Sequence, residues 1–184
     1  MIVTPVNDLP VLSVIGDQQT DEDNALTIPV SAVDVDEDEL TFSVLSSDPG
    51  VVSPSLDEDN NLTLTPSPNY YGAVNVTVTV SDAELTDSET FILQVTAAND
   101  IPSINLPDSF TYDEDESLIQ DLTSYLGDID GDDLILTVSD NINVTAEIDG
   151  FQVTFGALSD WNGTEILSFT VDDSQGRAIA TDDV

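Results

Sequence analysis

Apolar and polar residues alternate along much of this 184-residue chain, and the alternation has a period of two. In Val74-Asn75-Val76-Thr77-Val78-Thr79-Val80 every second residue is Val, and the residues between are Asn or Thr. Side chains on a strand point in turn to its two faces, so this stretch predicts a strand buried on one side. Residues 62–65, 91–95, 134–138, 151–155 and 166–171 read the same way and are rich in β-branched and aromatic types. Clusters of Asp, Asn, Gly, Pro and Ser separate these segments at short spacings, which is the chemistry of turns. No segment sustains a 3.6-residue period, so the fold class expected is all-β.

The chain also repeats itself. Asn7-Asp8-Leu9-Pro10 returns as Asn99-Asp100-Ile101-Pro102, and Asp21-Glu22-Asp23 as Asp113-Glu114-Asp115, each 92 residues later. Asp34-Val35-Asp36 returns as Asp128-Ile129-Asp130 after 94 residues, and Asn69-Tyr70-Tyr71-Gly72 as Asp160-Trp161-Asn162-Gly163 after 91. Val80-Ser81-Asp82 likewise returns as Val171-Asp172-Asp173. Matches in this order, with small drifts that loops absorb, mean two homologous domains. A period near 92 is too long for a solenoid turn and suits an immunoglobulin-like sandwich. The expected division is a tail of a preceding repeat with its linker at 1–8, repeat 1 at 9–98 and repeat 2 at 99–184. Val3-Thr4 aligns with Val95-Thr96, and the last strand of repeat 2 is expected to be cut short, because the chain stops before the counterparts of residues 94–98.

Composition then narrows the chemistry. Asp and Glu number 38 against a single Arg, with no Lys, His or Cys, for a formal net charge of −37. Such a surface repels nucleic acid and anionic membranes. Without Cys there are no disulfides and no thiolate metal sites. Without His, Lys or Cys the usual general bases and nucleophiles are missing, so triad-type catalysis has no parts and no enzyme is expected. No apolar run reaches the length needed to span a bilayer, so direct membrane insertion is not expected.

The acids gather at strand ends and near the repeat junction, in the same places in both copies. Two carboxylates about 4 Å apart repel by roughly 4 kcal/mol at an effective dielectric near 20, so such clusters call for a cation among them. Carboxylates, amide oxygens and backbone carbonyls at flexible turns suit Ca²⁺ in six- to eight-fold coordination, whereas Mg²⁺ keeps its waters. The runs Asp34-x-Asp36-x-Asp38 and Asp128-x-Asp130-x-Asp132 are not EF-hand loops: their sixth position is Glu39 or Asp133 instead of Gly, and their twelfth is Leu45 or Ser139 instead of Glu.

These residues together resemble the cadherin-like repeats of large bacterial surface adhesins. The resemblance rests on Asn-Asp-x-Pro, Asp-Glu-Asp, Asp-x-Asp, the Pro66 to Gly72 stretch with its Asn-Tyr-Tyr-Gly, and the Asp after the Val-rich strand. It implies tandem Greek-key β-sandwiches with calcium held between consecutive domains. Carried over by position, one site would use Glu22 from repeat 1, Asn99 and Asp100 from the linker, and Asp128, Asp130 and Asp173 from repeat 2, with Asn99 ligating through its backbone carbonyl. Asn7, Asp8, Asp34, Asp36 and Asp82 would form the matching half of a second site, and Glu114 would face a following repeat. The Leu-Asp-Arg-Glu motif of vertebrate cadherins is absent, so fewer ions per junction are expected, one or two.

The function expected is that of an extracellular, cell-surface adhesion or spacer module, a fragment of a longer array stiffened by calcium. Its partners would be calcium, neighbouring repeats and a cell-surface protein or polysaccharide. A rival reading is a carbohydrate-binding module using Tyr70, Tyr71 and Trp161 as a stacking platform. Against it, such aromatics commonly plug the end of a sandwich core. A third, a glycosidase with two carboxylates, is disfavoured because the acids occupy repeated positions rather than one unique pair.

Overall fold

The alternating Val stretch folds as a ten-residue strand, Gly72–Ser81, with Val74, Val76, Val78 and Val80 buried and the residues between them exposed or half-buried. Period-two patterning of this kind builds almost the whole molecule. The computed structural model describes residues 1–139, 141–176 and 179–184. It divides into two units, Met1–Ala98 and Asn99–Val184.

Unit 1 contains β1 (Val11–Leu12), β2 (Gln18–Asp21), β3 (Leu26–Pro29), β4 (Ala32–Val33), β5 (Thr41–Ser46), β6 (Val52–Leu56), β7 (Asn61–Pro66), β8 (Gly72–Ser81) and β9 (Thr86–Thr96). One sheet has the order β2-β9-β8-β5 and another β3-β7-β6, while β1 pairs with β4. All pairings are antiparallel except β2 with β9, which run parallel. Leu62 and Leu64 of β7 join the four Val residues of β8 and Phe91, Leu93 and Val95 of β9 in one apolar cluster, so the two sheets share a core. Burying side chains of this size stabilises by about 1.5–3 kcal/mol each, which is the main force holding the layers together.

Unit 2 repeats the plan with β10 (Ser103–Ile104), β11 (Leu118–Asp121), β12 (Leu126–Gly127), β13 (Ile135–Ser139), β14 (Val144–Asp149), β15 (Gln152–Ala157), β16 (Ser168–Asp172) and β17 (Ile179–Asp183). Its sheets are β11-β15-β14 and β13-β16-β17, with β10 paired to β12. Val153, Phe155, Leu167 and Phe169 centre its core, where Phe155 meets Phe169 edge-on at 6.1 Å and Phe110 at 5.4 Å. The all-β tandem sandwich expected from the pattern is what forms. A single 3-10 turn at Thr123–Tyr125 interrupts the strands, and no helix among the described residues is long and apolar enough to cross a membrane.

The strand ends differ from the pattern for a local reason. Strand ends move by one or two residues, because backbone pairing rather than apolar character decides where a ladder stops. β17 has 5 residues where β9 has 11, and no counterpart of β2 pairs with it among the described residues.

Tyr70 and Trp161 pack against the cores of their units, and only Tyr71 stands out, at 65% exposure. Each ring lies over the glycine two residues on. A Cβ at Gly72 would meet the Tyr70 hydroxyl at 2.9 Å, and one at Gly163 would meet Trp161 at 3.0 Å. Gly72 also has φ +143°, a region that side chains avoid.

Candidate metal centre

In unit 1, β4 ends at Val33 and the chain turns at once through Asp34. Asp34 Oδ1 accepts the backbone N–H groups of Asp36 at 2.9 Å and Asp38 at 3.4 Å, which folds the acidic run back on itself. Asp36 Oδ2 accepts the backbone N–H of Asp8 at 2.7 Å. Asn7 donates its side-chain amide to Asp82 Oδ2 at 2.9 Å, and Asp82 Oδ1 accepts from the backbone of Glu84 and Leu85 at 2.8 and 2.6 Å. Asn7, Asp8, Asp34, Asp36 and Asp82 are thereby linked in one network at the end of β8.

Unit 2 builds the same network from the matching residues. Asp128 Oδ1 accepts from the backbone of Asp130, Gly131 and Asp132 at 2.9, 2.9 and 3.2 Å. Asp130 Oδ2 accepts from Asp100 N at 2.7 Å, and Asn99 donates to Asp173 Oδ2 at 2.7 Å. The Asn99 side-chain amide also reaches Asp100 O at 3.1 Å, so its donors are engaged. In both copies the third residue after the first Asp has positive φ, Glu37 at 62° and Gly131 at 78°, which curls the run around its own carboxylates.

The arrangement fits a hard cation, on one observation above all. Asp34 Oδ2 and Asp128 Oδ2 are buried and have no hydrogen-bond partner among the described residues. A buried carboxylate oxygen without a partner is costly unless something positive faces it. Around each, ligand oxygens of three carboxylates come within 4.8 Å of one another: Asp34, Asp36 and Asp38 in one unit, Asp128, Asp130 and Asp132 in the other. Such all-oxygen sets, on turns, match the preference of Ca²⁺. Asp38 and Asp132 were not among the residues expected to ligate. The signal for them was the third Asp of each run, set aside along with the EF-hand geometry.

Burial separates the acids further. Among the described residues the buried carboxylates are Glu22, Asp82 and Asp173, at 2%, 8% and 2% exposure. Glu22 Oε1 accepts the backbone N–H of Ala98 at 2.8 Å, so the end of β9 closes over it. Its neighbours are engaged elsewhere: Asp21 takes the Thr96 hydroxyl at 2.5 Å and Asp23 the backbone N–H of Asn69 at 3.1 Å. Glu114, the counterpart of Glu22, stays exposed. Within unit 1, Glu22 lies at the Gly72 end of β8, since Glu22 N bonds Thr96 O and Val95 pairs with Gly72. Asp82 lies just beyond the Ser81 end, a strand length of about 30 Å away. Glu22 and the Asp34 network therefore cannot serve one ion within unit 1.

Hydrogen bonds hold two of these carboxyls below the ordinary Asp range. For Asp82 the main cause is the Leu85 N–H, followed by the Asn7 amide. For Asp173 the Asn99 amide comes first, then the Gln175 N–H. Because both folded-state values are depressed, the stability these groups contribute is present above the unfolded value of about 3.8 and is lost as pH falls through the folded values. Carboxyl NMR on the metal-free chain should show both titrating below 3.8. Asn99→Ala should raise the Asp173 midpoint by more than Asn7→Ala raises that of Asp82, since Asn99 is the leading cause for Asp173 only.

Several other acids serve the fold. Asp87 accepts from Leu12 N at 2.9 Å, Glu89 from Ile15 N and Gly16 N at 2.8 and 3.0 Å, Asp182 from Leu106 N at 2.6 Å, and Asp57 from Asn61 N at 2.8 Å. These carboxylates satisfy backbone N–H groups that no sheet partner reaches.

Comparison with known proteins follows the fold. The profile of the family described as bacterial Ig domain matches residues 7–94 and again 99–184. Among solved structures, Drosophila N-cadherin EC1-4 aligns at TM-score 0.55 and 16% identity, over 97% of this chain and 48% of that one. Human protocadherin-24 EC1-2 aligns at TM-score 0.52 and 15% identity, over 97% of this chain and 94% of that one. An endo-fucoidan hydrolase of glycoside hydrolase family 107 aligns at TM-score 0.40 and 19% identity, over 99% of this chain but 29% of its own length. At these identities the likeness concerns the fold. No curated protein matches the sequence.

Proposed function

Since the chain belongs to the bacterial Ig domain family, as two tandem copies, we propose that it is a calcium-binding adhesion or spacer module of an extracellular array. Domains of this family are typically non-catalytic and found at the cell surface. The observation that carries the reading is the duplicated cradle with two buried oxygens, Asp34 Oδ2 and Asp128 Oδ2, that have no hydrogen-bond partner among the described residues. Asp128, Asp130 and Asp132, with Asp100 and the backbone carbonyl of Asn99, would hold the ion in unit 2. Asp34, Asp36, Asp38, Asp8 and Asn7 would do so in unit 1. Calcium, when bound, would supply positive charge to these groups and cross-link them through oxygen contacts.

The chain's own residues prepare this. Asn7 and Asn99 clamp Asp82 and Asp173, and Asp36 and Asp130 grip the backbone of Asp8 and Asp100, so the segment entering each unit is tied to that unit. Glu22, buried at the far end of unit 1 from its own cluster, is the proposed contribution of repeat 1 to the next site along the array. In this reading calcium makes the joint between repeats stiff, and the array holds its tip away from the cell. The polysaccharide-binding alternative has less support, because two of its three aromatics pack against the cores.

The test is calcium titration by calorimetry, paired with small-angle scattering before and after chelation. Saturable binding for which magnesium substitutes poorly, with a shorter maximum dimension on chelation, is the expected result. Binding without any change of shape would remove the spacer role, and no binding at all would remove the metal reading.

A further inference from the structure

A strand at the edge of a sheet leaves a row of N–H and C=O groups unpaired, and proteins commonly blunt such edges with proline or charge. Unit 1 does so on three of the four strands that end its two larger sheets: β2 carries Asp21, β3 carries Pro29 and β6 carries Pro54. The fourth, β5, reads Thr41-Phe42-Ser43-Val44-Leu45-Ser46 and has neither. Unit 2 repeats the exception at the same position. There β11 carries Asp121 and β14 carries Glu147, while β13, Ile135–Ser139, has no proline and no charge.

The open side of β5 can be assigned group by group. Ser47 N donates to Asn75 O at 2.9 Å. The bonds of an antiparallel ladder recur at every second residue, so the amides of Thr41, Ser43 and Leu45 face β8 and those of Phe42 and Val44 face away from it. Among the described residues β8 is the sole ladder partner of β5. Phe42 and Val44 pack against the core yet stay only half-buried, whereas Val80 and Val78 opposite them are fully buried. Leu136 and Val138 hold the same positions in β13, opposite Val171 and Phe169.

The surroundings select the occupant. Exposed Asp36, Glu37, Asp38 and Glu39 precede β5 and exposed Asp48 follows it, while Asp132 and Asp133 precede β13. Two β5 strands paired about a two-fold axis would set the acids of one copy beside those of the other, in a chain whose net charge is already −37. A second copy is therefore disfavoured, and a strand with basic ends is favoured. Glu39 and Asp133 lie outside the two acidic triplets, so their attraction for a basic end does not require those triplets to be empty. We propose that β5, and β13 in the same way, accepts an extended segment of another protein as an added strand, one with alternating β-branched residues and Lys or Arg at its ends. Main-chain hydrogen bonds to Phe42 and Val44 hold it, and its own side chains cover theirs. Two such edges on one chain allow a partner with two such segments to bind by avidity. The proposal does not rest on the calcium reading.

The probe is a capped synthetic peptide of alternating Val and Thr with a Lys at each end, added to the chelated chain in about 0.15 M salt so that distant charges are screened. At saturating peptide, amide hydrogen exchange followed by NMR should slow at least tenfold at Phe42, Val44, Leu136 and Val138. The same peptide with its alternate amides N-methylated should give no protection. Val44→Pro removes an outward amide and no bond to β8, and should abolish protection in unit 1 while leaving unit 2 protected. Glu39→Gln should weaken binding to β5 several-fold. Absence of protection at these amides overturns the proposal, as does protection that survives N-methylation, which would reduce the binding to charge attraction. The N-methylated peptide acts on the unaltered chain, so it decides the matter should Val44→Pro not fold. Protection of Phe42 and Val44 in the concentrated chain alone, with a doubling of mass in sedimentation, would make a second copy the occupant and overturn it too.

Discussion

Calcium at a hundred times its dissociation constant is expected to raise the melting temperature of each unit by roughly 10–20 °C over the chelated chain. The estimate follows from linkage: a ligand that binds only the folded form adds about 2.7 kcal/mol at that excess. For a domain of fewer than 100 residues each kcal/mol shifts the midpoint by roughly 4–8 °C, and both units are of that size. Scanning calorimetry with and without chelator measures it. Asp128→Asn refines the test. An amide oxygen can still accept the backbone N–H groups of Asp130, Gly131 and Asp132 that Asp128 Oδ1 accepts, so the turn survives. The charge on the buried Oδ2 side is gone. The variant should therefore keep or slightly exceed wild-type stability in chelator, because one repulsive carboxylate has been removed, and lose most of the calcium-dependent gain of unit 2. A variant that responds to calcium like the wild type would exclude Asp128 as a ligand.

Truncating the centre of the second core should have an effect of similar size that calcium does not rescue in kind. Phe169 is fully buried and meets Phe155 edge-on at 6.1 Å. Phe169→Ala should cost unit 2 about 3–5 kcal/mol, from lost transfer energy and the cavity left behind. Domains of this size have only about 5–15 kcal/mol in total, so the transition belonging to unit 2 should drop by well over 10 °C. Urea denaturation followed by Trp161 emission reads unit 2 selectively, since Trp161 packs against that core. A loss below about 1 kcal/mol would mean that unit 2 repacks around the gap, contrary to a core centred on Phe169.

Much of this was readable before any coordinates. The buried Val residues of β8 are the alternate residues of the Val-rich stretch, because a strand buried on one face imposes that period on its sequence. The tandem organisation was readable because two copies of one fold need the same turn residues at the same places. Asn99 and Asp173 illustrate the limit. They lie 74 residues apart and meet at 2.7 Å only because β16 delivers Asp173 to the end of the sheet where the chain enters unit 2. Position in the repeat aligns Asp173 with Asp82, and burial separates it from its neighbour: Asp173 is buried, while Asp172 is half-buried.

By itself, then, the sequence determined that this is a pair of homologous β-sandwich domains, extremely acidic, with acids recurring at turns where a hard cation would be held. Those conclusions depend on local periodicity and on self-similarity, both of which are properties of the one-dimensional chain. Only the tertiary structure decided what each acid does. Asp87, Glu89 and Asp182 spend their oxygens on backbone N–H groups of segments far away in sequence, whereas Asp34 and Asp128 keep one buried oxygen without a partner among the described residues. Burial and satisfaction of a polar atom are set by which remote strands pack over it, and that depends on register and layer packing, which no local pattern encodes.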